Sequence, residues 1–173
     1  MSRPALEQAK AAWASAYEGL AQAEIDQRVR GFSALVRGIA ATGAVTPEAF
    51  ASGTSLNMAE ASGLFSSLAA FGLERDDEGR IIGAALTTRP TPHVVAIHKK
   101  RLFAWCALDT LFIPGLLGER AEIESTCPVS KAPIRLTVDP EGVNTVSPPE
   151  AALSIVLPGF DSSEMTTGPA SPT

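Results

Sequence analysis

Cysteine, charge and long apolar runs are all scarce in this sequence, whose 173 residues include two cysteines and 19% charged residues. The motifs C-x-x-C and H-E-x-x-H, which gather metal ligands, do not occur, so a structural zinc site is not expected. No apolar run approaches the roughly 20 residues that cross a bilayer. Glu7 and Lys10 interrupt the apolar stretch that a secretory signal would need. We therefore expect a cytoplasmic protein with no membrane partner and with free thiols.

Positive charge is also in short supply, because 14 Lys and Arg residues are outnumbered by 19 Asp and Glu residues, for a formal net charge of −5. This balance gives no electrostatic footprint for nucleic acid, so no nucleic-acid partner is expected. The hydrophobic fraction of 45% nevertheless supports a packed core.

The N-terminal part of the chain has helical periodicity. Residues 4–41 are Ala-rich, and their apolar residues recur at helical spacing, which predicts one helix or two. Gly43 is expected to end this region as a C-cap. Thr46 and Pro47 then have the types expected at the N-cap and at the first position of a short helix.

A further helix and a hairpin follow. Residues 56–71 predict the helix, and residues 73–88 predict two strands around an Asp-Glu-Gly turn. The order of a short helix, a turn, a second helix and a hairpin is typical of a winged-helix unit.

The second half of the chain changes to strand patterns. Residues 93–102 are β-branched and predict a strand that leads into an apolar helix over residues 101–118, which Pro114 would kink and Gly118 would end. From Ala121 onward, apolar and polar residues alternate up to residue 158, with D-P-E-G as a turn, which predicts antiparallel sheet.

These patterns together predict an α+β fold. A helical, winged-helix-like unit is expected over residues 1–90. Residues 91–158 are expected to pack a helix on a mainly antiparallel sheet, and residues 159–173 to form a flexible tail rich in Ser, Thr, Pro and Gly.

Two reactive side chains, Cys106 and Asp109, lie three residues apart in the predicted helix. At that spacing a thiol and a carboxylate share one helix face. One interpretation is that Cys106 is a small core hydrophobe. The other is that thiolate supplies a soft-metal ligand while the carboxyl group moves a proton. Neither His93 nor His98 has a spacing that would place it beside Cys106, so a Cys/His hydrolytic site is not indicated.

The sequence around this pair resembles the catalytic core of the organomercurial lyases, also called the alkylmercury lyase or MerB family. The shared motifs are W-C-A-L-D-T-L, P-x-L-L-G, E-S-x-C-P, A-P-I-R-L-T-V and S-x-V-L-P. The resemblance covers roughly residues 85–158, and the earlier helices and hairpin resemble the family's N-terminal part with lower specificity.

The resemblance implies cleavage of a carbon–mercury bond in an organomercurial small molecule, with release of a hydrocarbon and Hg(II), and therefore a role in mercury resistance by detoxification. Cys106 and Asp109 match the family's catalytic cysteine and aspartate. Cys106 would also hold the mercury, with Asp109 as a candidate second ligand. No organic cofactor is implied, and cellular thiols or a mercuric reductase would accept the product.

The sequence departs from the family pattern in one respect. The family uses a second catalytic cysteine beyond the S-x-V-L-P motif, and no cysteine follows Cys127 in this sequence. Cys127 itself matches a family cysteine that is structural rather than catalytic. We therefore expect impaired protonolysis. We also expect an exposed sheet edge after Leu157 that is free to pair in a homodimer.

Two alternatives to a lyase are left open. The first is a non-catalytic protein that binds organomercury through its thiol. The second is a winged-helix transcriptional regulator, but the candidate recognition helix over residues 56–71 has no Lys or Arg and carries Glu60, a poor composition for contacting DNA.

Overall fold

The computed structural model describes residues 19–69 and 72–153, which form the predicted α+β architecture. Its helices are α1 (Gln22–Thr42), α2 (Pro47–Thr54), α3 (Met58–Ala69) and α4 (Asp109–Leu117). Its strands are β1 (Glu74–Arg75), β2 (Ile81–Ala84), β3 (Leu86–Thr87), β4 (His93–Ile97), β5 (Lys100–Ala104), β6 (Ala121–Thr126), β7 (Pro133–Asp139) and β8 (Gly142–Ser147).

Local signals set the ends of the first helices. Gly43 follows α1 with φ of 83°, and its N–H donates to Ile39 O at 2.8 Å, which confirms the predicted C-cap. Thr46 caps α2 as predicted, because its hydroxyl accepts from Ala49 N–H at 3.2 Å. The part of the predicted first helix that precedes residue 19 lies outside the described residues.

α3 begins with a capping box that the sequence analysis did not identify. Asn57 Oδ1 accepts from Glu60 N–H at 3.0 Å, and Glu60 Oε2 accepts from Asn57 N–H at 3.1 Å. Helix α3 therefore starts at Met58, two residues later than predicted, directly after Asn57. Three helices followed by a hairpin agree in order with a winged-helix unit, but that assignment stays a prediction.

The strands form one antiparallel sheet in the order β1-β2-β3-β5-β4-β6-β7-β8. Pairing of β3 with β5, in which Leu86 faces Ala104, makes the sheet continuous across residue 90. The boundary predicted there therefore lies between two strands of one sheet. The D-P-E-G turn joins β7 to β8 as predicted, with Asp139 paired to Gly142.

The helix predicted over residues 101–118 is wrong in its first half. Residues 100–104 form strand β5, which pairs with both β3 and β4, and α4 begins only at Asp109. The single strand predicted over residues 93–102 is likewise two strands, joined by a turn in which His98 has φ of 53°. A short apolar run fits strand and helix equally well, and here pairing with distant strands decides.

One hydrophobic core joins helices and sheet. α1–α3 contribute Leu35, Ile39, Phe50 and Leu64, the sheet contributes Leu86, Val95, Ile123 and Val138, and α4 contributes Ile113. Strand β6 alternates between buried and exposed residues, so Ser125 shares the buried face with Ala121 and Ile123. The helices therefore cover one face of the sheet, and α4 packs in the same core.

The C-terminal predictions cannot be compared in full. Residues 151–153 are described and form no strand, whereas the rest of the predicted last strand, the edge after Leu157 and the tail lie outside the described residues. Within the described part of the chain, no helix is both long enough and apolar enough to span a bilayer.

Candidate active site

The turn between β5 and α4, residues 105–108, is held from both sides. On the sheet side, Trp105 N–H donates to Ala85 O at 2.9 Å. On the helix side, the Thr110 hydroxyl, which is 1% exposed, donates to Ala107 O at 2.7 Å. A short segment anchored to a sheet and to a helix has little conformational freedom, so side chains on it are well positioned.

Cys106 and Asp109 are brought together by this turn. Asp109 Oδ2 accepts the backbone N–H of Cys106 at 2.9 Å. This bond is similar to the return arm of a capping box, but it closes the turn before α4, whose N-cap residue is Leu108. The predicted proximity is therefore present for a different reason, because Cys106 precedes α4 instead of sharing a helix face with Asp109.

Burial controls the protonation of the Asp109 carboxyl group. It raises the pKa of Asp109 above its ordinary value, and hydrogen bonds from the Cys106 side chain and N–H only partly oppose this shift. A carboxyl group with a raised pKa holds its proton more readily than a solvated one. Asp109 is thus better suited to deliver a proton than an exposed aspartate would be.

The Cys106 thiol is solvent-exposed, yet its pKa is also raised. Partial burial is the largest cause, and the nearby Asp109 charge acts in the same direction. The backbone N–H groups of Asp109 and Leu108 oppose the shift, as expected at a helix N-terminus. At rest, Cys106 therefore holds its proton more tightly than an exposed cysteine does.

Cys127 lies in a separate turn after β6. Its N–H donates to Ala132 O at 2.9 Å, its carbonyl accepts from Lys131 N–H at 3.0 Å, and its sulfur accepts from Ser130 N–H at 3.5 Å. The Ser130 hydroxyl is the largest cause of a lowered Cys127 pKa. These contacts close the turn locally, and the structural role of this cysteine stays a prediction.

The two histidines have partners away from the Cys106 sulfur. His93 Nδ1 lies 3.0 Å from Ser125 Oγ, and burial lowers the pKa of His93. His98 Nε2 lies 2.8 Å from Glu119 Oε2 on the exposed side of the protein. The sequence analysis missed Ser125, although its place in the alternation of A-E-I-E-S-T marks it as an inward-facing polar residue.

Two further observations concern the Trp105 indole nitrogen and the grouping of metal-binding side chains. The Trp105 indole nitrogen is buried and has no hydrogen-bond partner within the described residues. Across residues 19–69 and 72–153, no three His, Cys, Asp or Glu side chains gather as a metal site.

The known proteins that this chain resembles in sequence are alkylmercury lyases. Residues 86–167 match the sequence model of the family described as MerB, alkylmercury lyase. An alkylmercury lyase of Bacillus cereus is 41% identical over 135 residues, which are 78% of this chain and 61% of that protein. One of Pseudomonas putida is 48% identical over 87 residues, which are 50% of this chain and 41% of that protein. The chain thus spans about three-fifths or less of the length of these relatives.

A solved structure supports the same fold. The crystal structure of the mercury-bound form of MerB2 superposes with a TM-score of 0.59 over 81% of this chain and 67% of that one, at 24% sequence identity. At this identity the likeness concerns the fold.

Proposed function

The chain resembles the alkylmercury lyase family, and we propose that it cleaves the carbon–mercury bond of organomercurials by thiolate capture and protonolysis. The observation that carries the proposal is the hydrogen-bonded turn in which Asp109 Oδ2 accepts Cys106 N–H at 2.9 Å. This turn lies inside the matched residues 86–167. It combines a soft ligand for mercury with a carboxyl group that can carry a proton.

The first step is capture of the substrate. Asp109 carboxylate takes the proton of the Cys106 thiol, and the resulting thiolate displaces a small thiolate from R–Hg–SR′. A Cys106 sulfur–mercury bond forms, and R′S⁻ leaves. The raised pKa of Asp109 favours the protonated carboxyl group that this step produces.

The second step is protonolysis of the carbon–mercury bond. The Asp109 carboxyl group gives its proton to the carbon, and the electron pair of the carbon–mercury bond forms the new C–H bond. The products are R–H, Asp109 carboxylate and mercury(II) on the Cys106 sulfur. No oxidation or reduction occurs, so the step needs no organic cofactor.

Release of mercury completes the cycle. Two cellular thiolates take Hg(II) from Cys106 as Hg(SR′)₂, leaving Cys106 thiolate to be reprotonated from solvent. Soft thiolates are the ligands able to compete for a soft ion. A mercuric reductase is the proposed later acceptor. A reducing cytoplasm suits this chemistry because Cys106 must remain unoxidised.

The test is a phenylmercury assay with excess small thiol, in which benzene is measured by gas chromatography. We expect impaired but measurable benzene release from the parent protein and none above background from Cys106→Ser. Cys127→Ser is the matched control, because it removes a thiol outside the proposed site, and it should retain benzene release. Stoichiometric mercury capture without benzene would instead support the non-catalytic binder.

The regulator hypothesis is disfavoured by composition. Helix α3, the element that would read DNA, contains no Lys or Arg. A sequence-specific gel shift in a protein that neither captures mercury nor releases benzene would revive it.

A further inference from the structure

An apolar cavity of about 250 Å³ opens beside the Cys106–Asp109 turn. Its wall includes Ala107 and Thr110, which directly follow Cys106 and Asp109 in the chain, together with Leu111 of α4. Strands β7 and β8 supply the opposite wall, including Leu136 and Val146, which face each other across the two strands. The cavity therefore borders the turn and the first residues of α4, the segment that also carries Cys106 and Asp109.

The cavity wall offers little to a polar ligand. Thr110 and Ser125 are its only polar side chains within the described part of the chain. The Thr110 hydroxyl already donates to Ala107 O at 2.7 Å, and Ser125 Oγ is paired with His93 Nδ1 at 3.0 Å. Both residues are buried, so a polar ligand would lose hydration without gaining free partners. An apolar group would instead gain by leaving water.

The size of the cavity selects among apolar groups. An engineered cavity of about 150 Å³ lined by apolar side chains is enough to bind benzene. A cavity of about 250 Å³ therefore has room for a phenyl ring. A methyl group would leave most of it empty and gain little contact, because dispersion attraction needs close neighbours.

We propose that this cavity is the subsite for the organic group of the substrate and that it favours aryl over methyl groups. The inference rests on the proposed function and deepens it by naming the substrate class. Val146 is the specificity-determining residue on β8, because a larger side chain at that position fills the space that a ring would occupy.

The experiment compares capture of phenylmercury and methylmercury by Cys106. It uses a Cys127→Ser background, so that intact mass reports one thiol, and each reagent is offered with the same excess small thiol. Val146→Phe should lower the phenyl-to-methyl capture ratio by about tenfold or more. Thr145→Phe is the matched control, because Thr145 precedes Val146 on β8, where successive side chains alternate between faces, and it does not line this cavity. The control should keep the parent ratio.

A second measurement does not depend on mercury. Benzene alone, added to the parent protein, should shift the methyl NMR signals of Ile134 and Leu136, and Val146→Phe should abolish the shift. An unchanged capture ratio in Val146→Phe, or no shift with benzene because other residues of the chain fill the space, would overturn the subsite. Failure of Cys106 to capture either reagent, with the benzene shift intact, would overturn the proposed function and leave an apolar cavity without that role.

Discussion

Replacing Cys106 by serine should remove mercury capture and yet stabilise the protein. Cys106 begins the turn that precedes α4, and its N–H donates to Asp109 Oδ2 at 2.9 Å, as in the return arm of a capping box. A thiol is a weak acceptor for the Asp109 N–H, whereas a serine hydroxyl is a good one, and side-chain bonds of this kind contribute about 0.5–2 kcal/mol. Because the thiol already supplies part of this, we expect a gain of about 0.5–1 kcal/mol.

The measurement is urea unfolding followed by circular dichroism, with Cys106→Ala as the control that lacks any cap acceptor. The expected order of stability is serine, then the parent, then alanine. In thermal unfolding, the gain from serine corresponds to an increase of about 1–4 °C in Tm for a chain of this size. A serine variant less stable than the alanine variant would show that the side chain of residue 106 does not stabilise the turn before α4, and would refute this reasoning.

Three further predictions follow from the same structure. Burial raises the pKa of Asp109, so the stability that its carboxyl group contributes is full below the ordinary Asp pKa of about 3.9 and is lost as pH rises through its folded-state pKa. The stability of Asp109→Asn in urea unfolding should therefore rise relative to that of the parent as the pH increases from 4 to 7. Equal pH dependence of stability in the two proteins would contradict this. Iodoacetamide at pH 7 should modify Cys127 before Cys106, because the pKa of Cys127 is lowered and the pKa of Cys106 is raised. Peptide mapping that showed the reverse order would contradict these pKa shifts. Arg37 donates two hydrogen bonds, of 3.1 and 2.9 Å, to the carbonyl of Leu116 in the last turn of α4. Arg37→Met should therefore lower the free energy of unfolding in urea by about 0.5–1.5 kcal/mol. An equal loss of stability in the control Arg30→Met would point to a general charge effect.

Features that depend on near neighbours could be predicted from the sequence. Gly43 and Thr46 end and begin helices through bonds within four residues. The alternation of β6 and the turn between β7 and β8 are also local, so the antiparallel sheet in this region agrees with the prediction. Local chemistry sets these features before any long-range packing is known.

The boundary between β5 and α4 could not be predicted in the same way. Leu102 and Ala104 are buried because β5 pairs with β3 and β4, and these contacts are remote in sequence. The local sequence pattern does not predict the positive φ of His98, the residue at which the chain turns between β4 and β5. An apolar run of this length is therefore assigned by its partners, not by its own periodicity.

In the candidate site, too, local features could be predicted from the sequence and long-range contacts could not. Spacing alone brought Cys106 and Asp109 into one hypothesis, and they are adjacent, but through a capping turn and not through a shared helix face. The pairing of His93 with Ser125 joins residues 32 positions apart, so only the alignment of β4 with β6 reveals it. The cavity wall likewise combines α4 with β7 and β8, a combination that no single stretch of sequence contains.

Proton delivery by Asp109 to the carbon of the substrate can be followed in a single-turnover reaction in D₂O. One equivalent of phenylmercury thiolate is added to the parent protein and to Asp109→Asn, and benzene is analysed by mass spectrometry. We expect singly deuterated benzene from the parent. In Asp109→Asn the Cys106 thiol must lose its proton to solvent, so the Cys106–mercury–phenyl adduct should form more slowly, and benzene should leave that adduct about 10²–10⁴ times more slowly than in the parent. Benzene without deuterium, or equal release from both proteins, would contradict proton delivery by Asp109.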